Sequence, residues 1–314
     1  MPIVFVKKSI SLSFLFVCIP FLLLSGCWNG TVMFSFEQPY WTSLGADLPM
    51  RGALSWVSVR HGYLPRVFVL GPRENPAAHL AQEVSTGPFG TVVVGPLLSY
   101  EWKGYVTQSP RTRFILIGDN DADELPPNAV ALVFDRAPAF NAAGFAAGES
   151  VHEGARGNVS AALGARVAIL LTATSELTAA EMEGFASGVA EALEGARPTV
   201  RALEGADRAA VKTAIEQMRA QGVEIFLLAM GSLDPWCLEV LRGAGGSAVV
   251  SDWESSGAFP AQVFLSVEQD IPGGISRALS LAGRGTRAVR GPMRIVEGKA
   301  RHVPTAAKSR LGNG

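Results

Sequence analysis

The stretch GVEIFLLAMGSLDPWCLEVLRGAGGSAVVSD, residues 222–252, contains two short apolar runs on either side of an amphipathic segment. The runs Glu224–Ala229 and Ser247–Ser251 are rich in apolar residues and too short for helices, which predicts buried strands. Between them, Pro235–Arg242 has apolar residues at helical spacing, and Asp234 stands in an N-cap position. A strand, a helix and a second strand in this order predict a unit of parallel β-sheet.

The same alternation continues along the chain in both directions. Further short apolar runs are Thr31–Phe36, Arg66–Leu70, Thr91–Val94, Arg113–Ile117, Ala129–Phe134, Arg166–Leu171 and Thr199–Leu203. The amphipathic segments between them are Pro76–Ser85, Phe140–His152, Thr178–Glu194 and Arg208–Gln221. This order predicts parallel sheets with helices on both faces, and a length of 314 residues fits two such lobes.

Charge and composition exclude several classes of protein. The 27 Lys and Arg residues nearly balance the 28 Asp and Glu residues, for a net charge of -1. The chain therefore lacks the excess of positive charge expected of a protein that binds nucleic acid. Hydrophobic residues make up 48% of the chain, which is enough to form packed cores. With three cysteines, at most one disulfide can form, so a disulfide-rich fold is excluded.

The first 27 residues have the pattern of a secretion signal. Lys7 and Lys8 precede an apolar run from Ile10 to Leu24, which is shorter than the roughly 20 residues that a membrane-spanning helix needs. The run ends at Leu24-Ser25-Gly26-Cys27, a string that resembles the bacterial lipobox. We therefore expect residues 1–26 to be a lipoprotein signal peptide and Cys27 to be the lipidated N-terminus. An ordinary signal peptide that happens to end near a cysteine is the alternative.

Aromatic and polar residues follow the predicted strands at their carboxyl ends. In open parallel sheets, ligands bind at this edge, because the strand–helix loops converge there. Aromatic faces bind flat or apolar ligand surfaces, and nearby polar groups bind hydroxyls or ring nitrogens. The residues that we expect at such a site are Phe36, Gln38, Trp41, Arg136, Phe140, Asn141, Met230, Trp236, Asp252 and Trp253. The alternative is that the rings cover the sheet ends as ordinary core.

From Asn128 onward, several motifs resemble the basic membrane protein family of lipid-anchored substrate-binding proteins of ABC importers, some of which bind purine nucleosides. The matching strings are Asn128-Ala-Val-Ala-Leu-Val-Phe, Phe140-Asn-Ala-Ala-Gly-Phe-Ala-Ala-Gly148, Glu183-Gly-Phe-Ala-Ser-Gly188, Gln221-Gly-Val-Glu-Ile-Phe-Leu, Val249-Val250-Ser-Asp252, Val263-Phe-Leu-Ser266-Val and Met293-Arg-Ile-Val-Glu-Gly298. The resemblance covers most of the chain after the signal segment.

The resemblance implies a type I periplasmic-binding-protein fold, with two Rossmann-like lobes joined by three crossovers. We expect these crossovers near Asp135–Ala137, Asp252–Ser255 and Gly285–Gly291. The ranges that this division predicts are 27–135 plus 255–285 for the N-terminal lobe, 136–252 plus 291–304 for the C-terminal lobe, and 305–314 for a flexible tail.

The resemblance also implies a ligand-binding role for Asp252, which stands where the family carries a binding aspartate. Nucleoside-binding members carry a lysine where this chain has Gln269, and an acidic residue with a Phe-Asn pair in the first loop. Here that loop reads Phe36-Glu-Gln-Pro-Tyr-Trp41. We therefore expect Asp252 to hold ribose hydroxyls with Gln269 as a further polar contact, while another neutral, hydroxylated or heteroaromatic solute remains possible.

No enzymatic motif accompanies these features. G-x-S-x-G, the phosphate-binding P-loop and H-E-x-x-H are absent from the sequence, and the four histidines have no metal-ligand spacing. We therefore expect a monomeric receptor without cofactor or metal, held at the cell membrane on its extracytoplasmic side. It would deliver a small neutral solute, most simply a nucleoside, to the permease of an ABC transporter. The alternatives are a ligand-free surface or scaffold lipoprotein and a receptor for a sugar-like ligand.

Overall fold

The computed structural model describes residues 29–44, 47–71, 75–118, 120–154, 165–172, 176–203, 205, 207–251, 258–281 and 285–311. The strands are β1 (Thr31–Glu37), β2 (Leu64–Leu70), β3 (Phe89–Val94), β4 (Arg113–Ile117), β5 (Ala129–Phe134), β6 (Val167–Leu171), β7 (Thr199–Ala202), β8 (Ile225–Ala229), β9 (Ser247–Ser251), β10 (Val263–Gln269), β11 (Ala288–Gly291) and β12 (Met293–Glu297). The helices are α1 (Gln38–Ser43), α2 (Asp47–Arg60), α3 (Pro76–Thr86), α4 (Pro96–Ser99), α5 (Arg136–Gly154), α6 (Glu176–Ala192), α7 (Arg208–Ala220), α8 (Asp234–Ala244), α9 (Ile271–Leu281) and α10 (Thr305–Leu311).

The strands form two six-stranded sheets of the same design. The first has the order β11-β5-β4-β3-β1-β2 and the second has the order β12-β10-β9-β8-β6-β7. Neighbouring strands are parallel except β10 and β12, which are antiparallel. The predicted fold class, two α/β lobes with mostly parallel sheets, is confirmed. We call the lobe around the first sheet the first lobe and the other the second lobe.

Central strands are apolar along their whole length because helices cover both of their faces. Every residue of β6 (VAILL) is buried, and so are the first four residues of β8 (IFLLA). Continuous burial of this kind is typical of parallel sheets and explains why the apolar runs identify strands without alternation. The edge strand β7 is mostly exposed, and its sequence TVRA is correspondingly more polar.

The chain passes between the lobes after β5, after β10 and between β11 and β12. The second crossover lies near Asp270, so its predicted position at 252–255 is wrong. The third lies at Pro292, directly after the predicted range 285–291. Strand β10 pairs with β9 in the second lobe, whereas the predicted division placed 255–285 in the first. Strand β11 pairs with β5 in the first lobe. The physical reason is that an apolar strand can pair at the edge of either sheet. Which sheet it completes depends on contacts with residues far away in the chain.

The three crossovers lie side by side and contact one another. The backbone N–H of Asp270 donates to the carbonyl oxygen of Pro292 over 3.0 Å, which joins the second crossover to the third. Arg290 Nη1 lies 3.1 Å from Asp135 Oδ2, and this ion pair joins the end of β11 to the first crossover. The segments between the lobes therefore form one connected strip.

The ring of Phe134, at the end of β5, fills the space beside two glycines of this strip. A Cβ atom on Gly274 would lie 2.9 Å from Phe134 Cζ, and a Cβ on Gly291 would overlap the ring. Glycine is therefore required at both positions by the close approach of an aromatic ring. The ring fixes the start of α9 and the end of β11 against β5.

Residues 305–311 form helix α10, where the sequence analysis expects a flexible tail. The helix packs against α5 of the second lobe. Arg310 forms an ion pair with Glu191 and lies 3.8 Å from the centre of the Phe145 ring. Contacts to distant residues of α5 and α6, rather than the polar local sequence, hold this segment in place.

Helices α5 and α6 approach each other until their backbones touch. A Cβ atom on Gly144 would overlap the carbonyl of Phe185, and a Cβ on Gly188 would overlap the carbonyl oxygen of Asn141. The remaining members of this four-glycine contact are Gly148 and Gly184. Backbone atoms lie opposite Gly144, Gly184 and Gly188, and the Cβ atom of Ala192 lies opposite Gly148. None of these atoms can move by a rotamer change, so no side chain can be accommodated at these positions.

Replacing Gly188 by alanine tests this backbone contact. Overpacking of this kind costs about 1–3 kcal/mol or more, so Gly188→Ala should lower the free energy of unfolding by at least that amount. Gly52, inside helix α2, has open space where its Cβ would lie, so Gly52→Ala should stabilise the chain by about 0.5–1 kcal/mol through helix propensity. Urea denaturation of both variants measures the difference. Equal midpoints for the two variants would contradict the contact.

Candidate functional site

The candidate site is the cleft where the carboxyl ends of the two sheets face each other. The phenol group of Tyr40, just after β1 in the first lobe, donates to Gln269 Oε1 at the end of β10 in the second lobe over 3.1 Å. In each sheet the strand order reverses beside the first strand, at β1 and at β6. Ligands of open α/β sheets bind at such reversal points. The cleft therefore contains the part of each lobe that is best placed to bind a ligand.

Glu37 is the polar residue at the reversal point of the first lobe. It is the last residue of β1, is 7% exposed, and accepts a hydrogen bond from the backbone N–H of Leu98 in α4. Its other carboxylate oxygen, Oε2, is buried without a hydrogen-bond partner among the described residues. Burial raises the pKa of this carboxyl, and its hydrogen bonds from backbone groups oppose that rise. The sequence analysis did not select Glu37, although an acidic residue directly after the first apolar strand was a usable signal.

The aromatic residues of the first loop divide between core and cleft. Phe36 is fully buried and stacks on Trp41, with ring centres 5.4 Å apart. Trp41 is 6% exposed, and the guanidinium of Arg51 lies 5.1 Å from its ring centre. Both rings therefore belong to the core under the loop, which is the alternative interpretation given above. The residue that reaches the cleft is Tyr40.

An ion pair at the start of the second lobe supports the other wall. Arg136, the first residue of α5, pairs with Glu181 of α6, and both side chains are about nine-tenths buried. Arg136 also donates to the hydroxyl of Ser251, the last residue of β9, and this hydroxyl lies 3.5 Å from Glu181 Oε1. The cluster thus fixes the end of the strand that immediately precedes Asp252. Removing one partner of such a buried pair is strongly destabilising, since the other charge is left uncompensated.

Asp234 begins the helix that follows β8, within range of the charge of Glu181. The sequence analysis expects it to cap α8, but it is the first residue of the helix, and no side-chain cap is formed. Instead Asp234 Oδ1 accepts the backbone N–H of Met230 over 2.9 Å. Burial, with the charge of Glu181 as a lesser cause, raises the pKa of Asp234 to about 7. Burial and Asp234 together raise the pKa of the Cys237 thiol to about 12, and this buried cysteine is free.

Three further predicted residues lie apart from one another. Gln38 is exposed and bonds Thr42 of its own helix. Phe140 is fully buried, and Asn141 donates to Glu191 of α6 over 3.0 Å. The residues predicted at 252 and 253 lie outside the described residues.

Trp236 differs from its predicted placement in the cleft. Its indole N–H donates to the carbonyl oxygen of Arg208 over 3.0 Å, and the guanidinium of Arg208 lies 5.2 Å from its ring centre. These contacts place Trp236 between α7 and α8. Of the other predicted residues, Gln269 contacts Tyr40 of the first lobe, whereas Met230 is buried in the core of the second lobe. Packing contacts hold Phe36, Trp41, Phe140, Asn141 and Trp236.

Two kinds of feature are absent from the described residues. No three of the His, Cys, Asp and Glu side chains in the described ranges lie together as a metal site requires. Among the same residues, no helix combines the length and the apolar character needed to cross a bilayer.

Comparison with solved structures identifies the fold class as type I periplasmic-binding-protein-like. A solute-binding protein of an ABC transporter system from Conexibacter woesei matches with a TM-score of 0.66 at 17% identity, over 90% of this chain and 94% of that one. A transcriptional activator of the comK gene from Bacillus halodurans matches with a TM-score of 0.67 at 14% identity, over 90% and 95% of the two chains. The Caulobacter myo-inositol binding protein, bound to myo-inositol, matches with a TM-score of 0.50 at 16% identity, over 92% and 98%.

Sequence comparison assigns the chain to no family. No protein-family model matches the chain, and no curated protein matches its sequence. Receptors and regulators share this fold, so the role of this chain has to be argued from its own residues.

The raised pKa of Asp234 predicts a specific pH dependence of stability. The folded carboxyl has a pKa of about 7 against 3.8 for the ordinary group, so its stabilising contribution is complete below pH 3.8 and is lost as the pH rises to about 7. Asp234→Asn keeps an acceptor for Met230 N–H and should therefore be more stable than the native chain above about pH 7, where each pKa unit is worth about 1.4 kcal/mol. Urea unfolding at several pH values measures this. Parallel stability curves for the two proteins would exclude the effect.

Proposed function

We propose that this chain is a lipid-anchored, extracytoplasmic receptor that delivers a small neutral solute to an ABC importer. The observation that carries the proposal is the cleft between two parallel-sheet lobes, closed at one point by the Tyr40–Gln269 hydrogen bond. Three adjacent crossovers form a short strip about which the lobes can bend, the geometry of hinge closure around a ligand. The Conexibacter and Caulobacter proteins named above support a binding role.

The electrostatics of the cleft favour an uncharged ligand. Arg136 is compensated by Glu181, and the carboxyls of Glu37 and Asp234 have raised pKa values that favour their neutral forms. A hydroxyl-rich solute would be bound by acceptors such as these and by the carboxylate of Asp252. Within this class we favour a nucleoside, because Asp252 stands where the basic membrane protein family binds ribose. A sugar-like ligand is the second candidate, supported by the inositol-binding neighbour.

The proposal includes the partners and the location of the protein. The receptor would act as a monomer at the cell membrane, held by the lipid on Cys27, and would dock on the permease of its transporter. It would use no cofactor and catalyse no reaction. A ligand-free scaffold lipoprotein with the same fold is the competing function, and the ligand experiment separates the two.

Mass spectrometry of small molecules released from the purified chain tests the ligand. We expect a nucleoside or a comparable neutral, hydroxylated solute, and added ligand should raise the melting temperature. Asp252→Ala should weaken its binding by about tenfold or more, equivalent to roughly 1.4 kcal/mol, with little change in the melting temperature of the empty protein. Repeated absence of ligand and of thermal shifts across a metabolite panel would favour the scaffold. Native affinity in Asp252→Ala would remove Asp252 from the site.

Cys27→Ala tests the lipid anchor separately. The variant should accumulate as unprocessed precursor and take up no fatty acid, because the lipobox cysteine carries the acyl chains. Metabolic labelling with a fatty acid and the size of the product on a gel measure both effects. Cys237→Ala is the matched control, since this thiol is buried. Normal processing and labelling of Cys27→Ala would exclude the anchor.

A further inference from the structure

A second cavity lies in the second lobe at the end opposite the cleft. Its volume is about 630 Å³, and it is formed where β6, β8 and β9 begin. Its lining includes four arginines and one carboxylate: Arg166, Arg219, Arg242, Arg301 and Glu224. Since strands begin here, this cavity is separate from the proposed solute site, and the inference below does not depend on that site.

Glu224 is shared between two of the arginines. Arg166 bonds its Oε1 and Arg301 bonds its Oε2. The second terminal nitrogen of Arg166 lies 3.4 Å from the carbonyl oxygen of Val151, and that of Arg301 lies 3.5 Å from the hydroxyl of Ser150. One carboxylate thus orients two guanidinium groups while neutralising only one positive charge.

Arg219 bonds two backbone carbonyl groups, which carry no charge. Its guanidinium donates to the carbonyl oxygens of Val223 and Ala244, and a Cβ atom on Gly246 would lie 3.2 Å from its Cδ, so glycine there leaves room for its stem. Burial, with the positive charge of Arg301 as the lesser cause, lowers the pKa of Arg219. Uncompensated positive charge therefore remains inside the cavity.

Arg242 completes the cluster at the cavity rim. Its partner Glu239 is one turn away on the same helix, and the two side chains are 61% and 39% exposed. Exposed pairs of this kind contribute little to stability. Arg242 can therefore turn toward an anion at small cost.

We propose that this cavity binds a phosphate group. Guanidinium groups bind tetrahedral oxyanions through paired N–H donors, and several of them together prefer a dianion over a single carboxylate. Among the described residues, four arginines face Glu224 inside the cavity and Glu239 at its rim. The surplus of positive charge matches a phosphate dianion. The phosphate can belong to a soluble molecule or to the headgroup of an anionic lipid, since both present the same oxygens.

Calorimetric titration of the full chain with inorganic phosphate, at constant ionic strength, tests the proposal. The native chain should bind phosphate, and Arg242→Gln should bind it about tenfold more weakly. Arg60→Gln removes the same charge from the surface of α2 in the other lobe and should bind as the native chain does. Constant ionic strength is needed because general screening would otherwise imitate a loss of affinity.

Glu224→Gln should change the affinity for phosphate in the direction opposite to Arg242→Gln. If the arginines form a phosphate site, removing the competing carboxylate should strengthen phosphate binding, and phosphate should restore any loss in melting temperature. If the arginines serve only to hold Glu224, the variant should melt at a lower temperature and phosphate should not restore it. That second outcome overturns the proposal.

Vesicles distinguish the two sources of the phosphate. Binding to phosphatidylglycerol vesicles that exceeds binding to phosphatidylcholine vesicles, and that falls in Arg242→Gln, would assign the site to a lipid headgroup. Phosphate binding in solution without this difference would assign it to a soluble molecule. No phosphate binding and no such vesicle difference, or equal binding by the native chain and Arg242→Gln, would overturn the proposal.

Discussion

The backbones of α5 and α6 are in direct contact, and the second wall of the cleft depends on that contact. Four glycines remove the side chains that would separate the two helices. The resulting approach brings the first residue of α5, Arg136, onto Glu181 of α6 and both onto Ser251 at the end of β9. A wider helix spacing would leave two buried charges without partners, which is far more costly than the loss of ordinary packing. The glycines therefore position the polar groups of this wall.

The connection between the lobes has a comparable constraint. Phe134 packs where Gly274 and Gly291 lack side chains, so the strip that joins the lobes is held tightly against β5. The contacts Asp270–Pro292 and Asp135–Arg290 link the individual crossovers. Bending at such a strip moves the lobes as rigid bodies, because the cores on both sides are close-packed. This arrangement fits a receptor that closes on its ligand.

The second lobe has different charge balances at its two ends. At the cleft, the positive charge of Arg136 is matched by Glu181, and burial raises the pKa of Asp234. At the opposite end, arginines outnumber carboxylates around the second cavity. We therefore propose a neutral solute for the cleft and an anion for the far cavity, which are separate ligand chemistries in one protein.

The sequence by itself determined the fold class, because a strand covered on both faces must be apolar along its length, as in Ser247–Ser251 and Ala129–Phe134. It also predicted a site at the carboxyl edge of the sheets, since parallel strands bring their following loops to one edge. Only the tertiary structure decided which sheet β10 and β11 complete, because strand pairing depends on residues far away in the chain. It also decided that Tyr40 rather than Phe36 or Trp41 reaches the cleft, and that Trp236 packs on Arg208. Local sequence gives the position of a side chain on its own helix or strand, whereas its partner is set by packing between distant segments, such as Tyr40 and Gln269.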